Sequence, residues 1–132
     1  DTVNNAEELI PITTKLKAAG IRVSVFANPD IKIIEGAKNC GVDRVELYTG
    51  PFADNFEVNK EKAVSDYLLA GNKAKELGIG LNAGHDLDLT NLAFLKATIP
   101  HMDEVSIGHA LVCDALYYGL ENTIQLYLRQ LK

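Results

Sequence analysis

Four short apolar segments, each followed by a stretch with helical spacing, restrict this chain to parallel α/β architectures. The first is Ile-Arg-Val-Ser-Val-Phe-Ala at residues 21–27, rich in β-branched side chains and bounded by Gly20 and by Asn28 and Pro29, which reads as a strand. Residues 44–48, 79–83 and 104–107 supply three more. Elsewhere the apolar residues return every three or four positions. Leu9, Ile10, Ile12, Leu16 and Ala19 mark a helix over 5–19, with Gly20 as its stop. Asp30 is placed to cap a helix over 30–39 that ends at Cys40 and Gly41. Thr49, Gly50 and Pro51 break the second strand, and 54–62 reads as a solvated loop and helix start. Ala63, Val64, Tyr67, Leu68, Ala74 and Leu77 stripe a long helix over 59–77, stopped by Gly78. A shorter helix is expected over 90–98, and a helical tail over 110–131 with a break at Gly119.

The order α-βα-βα-βα-βα requires parallel strands joined by right-handed crossovers. Two architectures accommodate four such units: a small open doubly wound sheet, or half of an eight-fold barrel. Periodicity does not choose between them. With 132 residues the chain has room for one core, so residues 1–132 form a single domain segment. It has no initiator Met, its single Met is Met102, and it opens directly on the approach to a helix, as a fragment would.

Composition narrows the function. A net charge of −5 gives a nucleic acid no bulk attraction, although a local phosphate site remains compatible with it. No apolar run approaches the roughly 18 residues of a membrane span, so no membrane partner is expected. Cys40 and Cys113 lie far apart without metal-type spacing, which reads as two reduced thiols in a cytoplasmic protein. No phosphate-binding P-loop, dinucleotide glycine motif, metalloprotease motif or nucleophile elbow occurs.

In both architectures ligands collect at the C-terminal ends of the strands. The first strand delivers Asn28, Pro29 and Asp30 there; the second, Glu46 and then Tyr48, Thr49 and Gly50; the third, Asn82 and then Gly84, His85 and Asp86; the fourth, Ser106, Gly108 and His109. Two of three histidines and a strand-borne carboxylate thus meet on one rim, a set suited to proton transfer at neutral pH. In a barrel Glu46 points inward, because Val45 and Leu47 face the helices. The plainer alternatives stay open: a structural salt bridge for Glu46, a surface loop histidine for His85, and a tight turn for Gly108 and His109. His101 reads as a surface residue, and Tyr117, Tyr118 and Tyr127 as packing residues of the last helix.

The motifs then become specific. Leu-Asn-Ala-Gly-His-Asp-Leu at 81–87, Val-Glu-Leu-Tyr-Thr-Gly at 45–50 followed by Pro-Phe-Ala-Asp, Val-Ser-Ile-Gly-His-Ala at 105–110 and Arg-Val-Ser-Val-Phe at 22–26 stand in order and in register. Together they resemble the pyridoxine 5′-phosphate synthase family from near Leu9 to the C-terminus. The resemblance implies a TIM (β/α)₈ barrel, of which this chain supplies about the C-terminal half, α/β with four parallel strands. It implies condensation of 1-deoxy-D-xylulose 5-phosphate with 3-amino-2-oxopropyl phosphate to pyridoxine 5′-phosphate, inorganic phosphate and water. It also implies a homo-oligomer, octameric in the family, needing no organic cofactor and no metal.

By the same resemblance His85 matches the proton donor and Glu46 the transition-state stabiliser, while Asp86, Gly108 and His109 match positions binding the amino-ketone phosphate. Some members carry Gly where this chain has Asp86, so only the backbone N–H there need face phosphate. The family's first half has no counterpart in this sequence; it resembles the source of a general-base Glu, another His and the arginines gripping the second phosphate. The alternative expectation is a catalytically incomplete phosphate-binding or assembly fragment of that enzyme. Another phosphate-handling barrel enzyme would need a Lys or a different base at a strand end, and no Lys stands there.

Overall fold

The computed structural model describes residues 1–132. Helix α1 (Ala6–Ala18) leads into strand β1 (Ser24–Ala27), followed by α2 (Ile31–Asn39), β2 (Arg44–Tyr48), α3 (Gly50–Leu77), β3 (Gly80–Gly84), α4 (Leu92–Thr98), β4 (Glu104–Ser106), α5 (His109–Tyr118) and α6 (Leu120–Gln130). The expected stops operate. Asp30 accepts hydrogen bonds from the Lys32 and Ile33 amides at the start of α2. Gly78 closes α3 at φ 66°, and Gly119 separates α5 from α6 at φ 78°.

All four strands are parallel, in the spatial order β1-β2-β3-β4. An order that never reverses, with every crossover right-handed, keeps the helices on one face of the sheet. Burial shows the same division. Ala27, Val45, Leu47, Leu81 and Ala83 pack into the core beneath the helices, with Val25 and Val105 partly buried beside them. The opposite face carries Phe26, Glu46, Asn82 and Glu104 in one register row, and Tyr48, Gly84 and Ser106 in the next. Phe26 is 68% exposed there. This excludes the doubly wound sheet, which would cover both faces, and leaves half of a (β/α)₈ barrel with its interior-facing side open.

The lower part of that open face is a charged lattice. Arg44 reaches Asp103 and Asn82, both at 3.0 Å, and Glu104 at 3.9 Å. Glu104 is also held by Arg22 at 3.1 Å and by the Asn82 amide at 2.9 Å. Those contacts, led by Arg22, keep the Glu104 carboxyl below the usual carboxylate range. Gly80 has no Cβ because the Arg44 side chain crosses over it.

Several expectations fail for local reasons. The first strand begins at Ser24, not at residue 21, because it pairs only where β2 runs alongside. Residues 50–58 are helical rather than a break and a loop, since Pro51 sits in the first turn, where a missing N–H is harmless. Asn59 (φ −163°, ψ 94°) then kinks α3, and the Asn59 side chain accepts from the Lys62 amide to restart it. His101 is not a plain surface residue: its Nε2 meets the Gly71 carbonyl at 2.9 Å. Of the three tail tyrosines only Tyr127 packs, donating to Asp114 at 2.8 Å, whereas Tyr117 is 86% exposed.

Truncating either face tests the division between them. Leu47→Ala should cost about 2–5 kcal/mol in urea denaturation, as an emptied core site does. Phe26→Ala, on the open face, should cost less than about 1 kcal/mol.

Candidate functional site

At the C-terminal ends of β2, β3 and β4 the open face widens into a concavity of about 530 Å³. It is lined by Phe26, Glu46, His85, Asp86, Ser106, Ile107, Gly108 and His109. All five residues singled out from the sequence therefore share one wall. Asn28 and Pro29 do not join them; they line a separate concavity beside the α3 kink. Asn82 shares the register row of Glu46 but is committed to Arg44 and Glu104.

Glu46 takes its place from strand alternation: Val45 and Leu47 are buried under the helices, so the residue between them faces the open side. No Lys, Arg or His stands within ion-pair distance, so the structural salt bridge does not form. The Arg that could have paired with it, Arg44, is already bound to Asp103 and Glu104. Gly84 leaves the room its carboxylate needs, since a Cβ there would collide with Glu46 Oε1 and press on Ser106.

His85 and Asp86 both adopt positive φ, 97° and 54°, a conformation that L-residues rarely enter. The turn brings the His85 Nδ1 to 2.8 Å from the Asp86 Oδ2 and leaves Nε2 without a partner in the chain. The Tyr48 ring meets the imidazole edge to face, centroids 4.7 Å apart. Tyr48 stands two residues after Glu46 and so shares its face, as its place at the end of the second strand implied. Thr49, fully buried, also belongs here through its backbone N–H to the Gly84 carbonyl and its hydroxyl to the His85 carbonyl.

Gly108 is the N-cap of α5, which starts at His109, one residue earlier than expected. With no side chain on Gly108, nothing caps the first amides of the helix, and the positive end of its dipole is open to an anion. No three His, Cys, Asp or Glu side chains are grouped to hold a metal ion. No helix is long and apolar enough to cross a membrane.

The fold and site together define a (β/α)-barrel segment with an unpaired carboxylate, a histidine and an open helix N-terminus at one strand-end rim. The whole chain, residues 1–132, matches the family described as Pyridoxal phosphate biosynthesis protein PdxJ, and it belongs to that family. It is 61% identical over its full length to the pyridoxine 5′-phosphate synthase of Cytophaga hutchinsonii and 52% to that of Christiangramia forsetii, in each case matching 56% of the relative. The synthase of Bacteroides thetaiotaomicron is 53% identical over 96% of this chain and 54% of its own. The chain thus spans about half the length of the curated relatives it matches. Two solved structures share the fold at 16% identity. The Amycolatopsis orientalis BexX/CysO complex matches 99% of this chain and 50% of its own at a TM-score of 0.60. The Brucella melitensis HMG-CoA lyase matches 98% and 48% at 0.62.

Gly84→Ala should destabilise the protein by about 1–3 kcal/mol in urea denaturation, because Glu46 or the β3–β4 pairing must give way. The conservative control is Ser106→Ala, which removes no packing partner of Glu46 and should leave the midpoint nearly unmoved.

Proposed function

We propose that this chain carries the proton-donor half of the active site of a pyridoxine 5′-phosphate synthase. The whole enzyme would condense 1-deoxy-D-xylulose 5-phosphate with 3-amino-2-oxopropyl phosphate, releasing pyridoxine 5′-phosphate, inorganic phosphate and water. The observation that carries this reading is the meeting of Glu46, His85, Asp86, Gly108 and His109 on one concavity in a chain of the PdxJ family.

The chemistry asks for what these groups offer. The amine of one substrate adds to the ketone of the other, and the resulting carbinolamine loses its hydroxyl only if that oxygen receives a proton. His85, with its Nδ1–H directed at the Asp86 carboxylate, gives up a proton from Nε2 when the ring carries both protons, and Asp86 stabilises that imidazolium form. Loss of water leaves a cationic iminium, and the unpaired Glu46 carboxylate stabilises positive charge developing in the concavity. The α5 amides after Gly108 hold the amino-ketone phosphate, with the Asp86 backbone beside them.

A second reading, a phosphate-binding or assembly fragment without turnover, has one observation in its favour: no Lys or Arg lines the concavity, so a second phosphate finds no cation in this chain. We further place the protein in the cytoplasm, in keeping with two free thiols, and in a homo-oligomer. Exposed Leu116, Tyr117, Tyr118 and Leu120 around the α5–α6 turn support the assembly.

A coupled assay for pyridoxine 5′-phosphate decides between the readings: formation supports the synthase, and its absence with phosphate still bound supports the fragment. Inorganic phosphate should shift the amide resonances of Gly108, His109 and Ala110; unmoved resonances would remove the helix-end site. In the active protein His85→Asn should lower kcat by about 10²–10⁴-fold with little change in KM. Glu46→Gln keeps the shape and loses the charge, so it should also act on kcat. A Glu46→Gln protein that turns over normally would take the carboxylate out of the mechanism.

A further inference from the structure

Three polar helix N-caps in this fold, Asn5, Thr49 and Asn91, make no side-chain bond to their own helices, and two of those side chains are committed elsewhere. Thr49 precedes α3 and Asn91 precedes α4, and neither side chain bonds to its own helix. An N-cap bond of this kind stabilises a helix, so its absence where the side chain could make it calls for a reason. Both side chains turn instead to consecutive carbonyls of one loop. The Thr49 hydroxyl donates to the His85 carbonyl at 2.5 Å, and the Asn91 amide donates to the Asp86 carbonyl at 3.1 Å. Thr49 is 0% and Asn91 3% exposed, so water competes for neither bond.

The loop needs this support. His85 and Asp86 are the only non-glycine residues with positive φ, and two such residues in succession strain the backbone. A single hydrogen bond is too weak to hold such a turn by itself. Three act here, counting the Thr49 N–H to the Gly84 carbonyl at 3.0 Å, together with the burial of Leu87 immediately after the turn. Asn91 is itself fixed, because its Oδ1 accepts from the Asp88 amide while the Asp88 carboxylate accepts from the Thr90 and Asn91 amides. The product of this strained backbone is the short path from His85 Nδ1 to Asp86 Oδ2, which orients the imidazole.

We propose that Thr49 and Asn91 are positioning residues that hold the His85–Asp86 turn in its left-handed conformation and thereby set the orientation and tautomer of the His85 ring. The functional consequence rests on the synthase reading, in which His85 donates a proton; the structural claim does not.

Two near-isosteric variants remove one donor each. Thr49→Val deletes the hydroxyl, and Asn91→Asp replaces the amide donor while keeping an oxygen for the Asp88 N–H. In ring-nitrogen NMR of the folded protein, the parent should show His85 with Nδ1 protonated toward Asp86. Both variants should shift that pattern toward a mixture of tautomers, and Thr49→Ser should restore it. In the synthase assay the two variants should lose about 10- to 100-fold in kcat, with KM within about twofold, as a misplaced catalytic group does. Identical His85 ring spectra in the parent and in folded Thr49→Val and Asn91→Asp would overturn the proposal. So would a Thr49→Ser protein that resembles Thr49→Val, since packing of the methyl group rather than the hydroxyl would then be responsible. If Thr49→Val does not fold, Asn91→Asp decides alone. An inactive parent would sink the synthase reading, while the ring spectra would still test the positioning role.

Discussion

Everything in this chain follows from a sheet whose strand order never reverses. Four parallel strands laid down in sequence place each crossover helix on the same side, and the core forms there, around Val45, Leu47, Leu81 and Ala83. The other side receives whatever residues alternate with that core. Since no helix covers them, they need not be apolar, and the row Phe26, Glu46, Asn82, Glu104 shows that they are not. An open, polar surface is thus a by-product of the topology. The helices keep the backbone stiff beneath side chains that hydrophobic packing does not select.

Much of this was legible in the sequence because it depends on near neighbours. Asp30 caps α2 through amides two and three residues ahead, Gly78 turns the chain where only glycine turns easily, and Glu46 inherits its direction from Val45 and Leu47. The errors arose where the same residue types serve two purposes. Gly50 and Pro51 read as a strand breaker and do end β2, yet they also begin a helix that runs on to Asn59. Apolar spacing in the tail predicted packing for Tyr117 and Tyr118, but spacing describes one helix and says nothing about whether another element lies opposite. The resemblance to the PdxJ family was legible from four motifs in register, and the match over residues 1–132 agrees with it.

The site was legible as a list and not as a structure. His85, Asp86, Gly108 and His109 each follow a strand, which was enough to bring them to one rim. Thr49 and Asn91 were invisible in their actual role because their partners lie 36 and 5 residues away, and because each occupies a position where a helix cap is the ordinary expectation. Hydrogen bonds of that kind are decided only when the strands are aligned, and the pairing of Leu47 with Ala83 and Tyr48 with Gly84 is what carries Thr49 to the turn.

The charged lattice below the site has an effect on the residue above it. Arg44 shares a face with Glu46 two positions away, yet it is turned aside by Asp103, Glu104 and Asn82. The acidic pair therefore works as a sequestering ligand for a cation the sheet itself brings close. Without it the chain would neutralise its own carboxylate internally, and the field inside the concavity would be that of a closed dipole rather than a free negative charge. Asp103 and Glu104 thus shape the field inside the concavity, even though neither lines its wall.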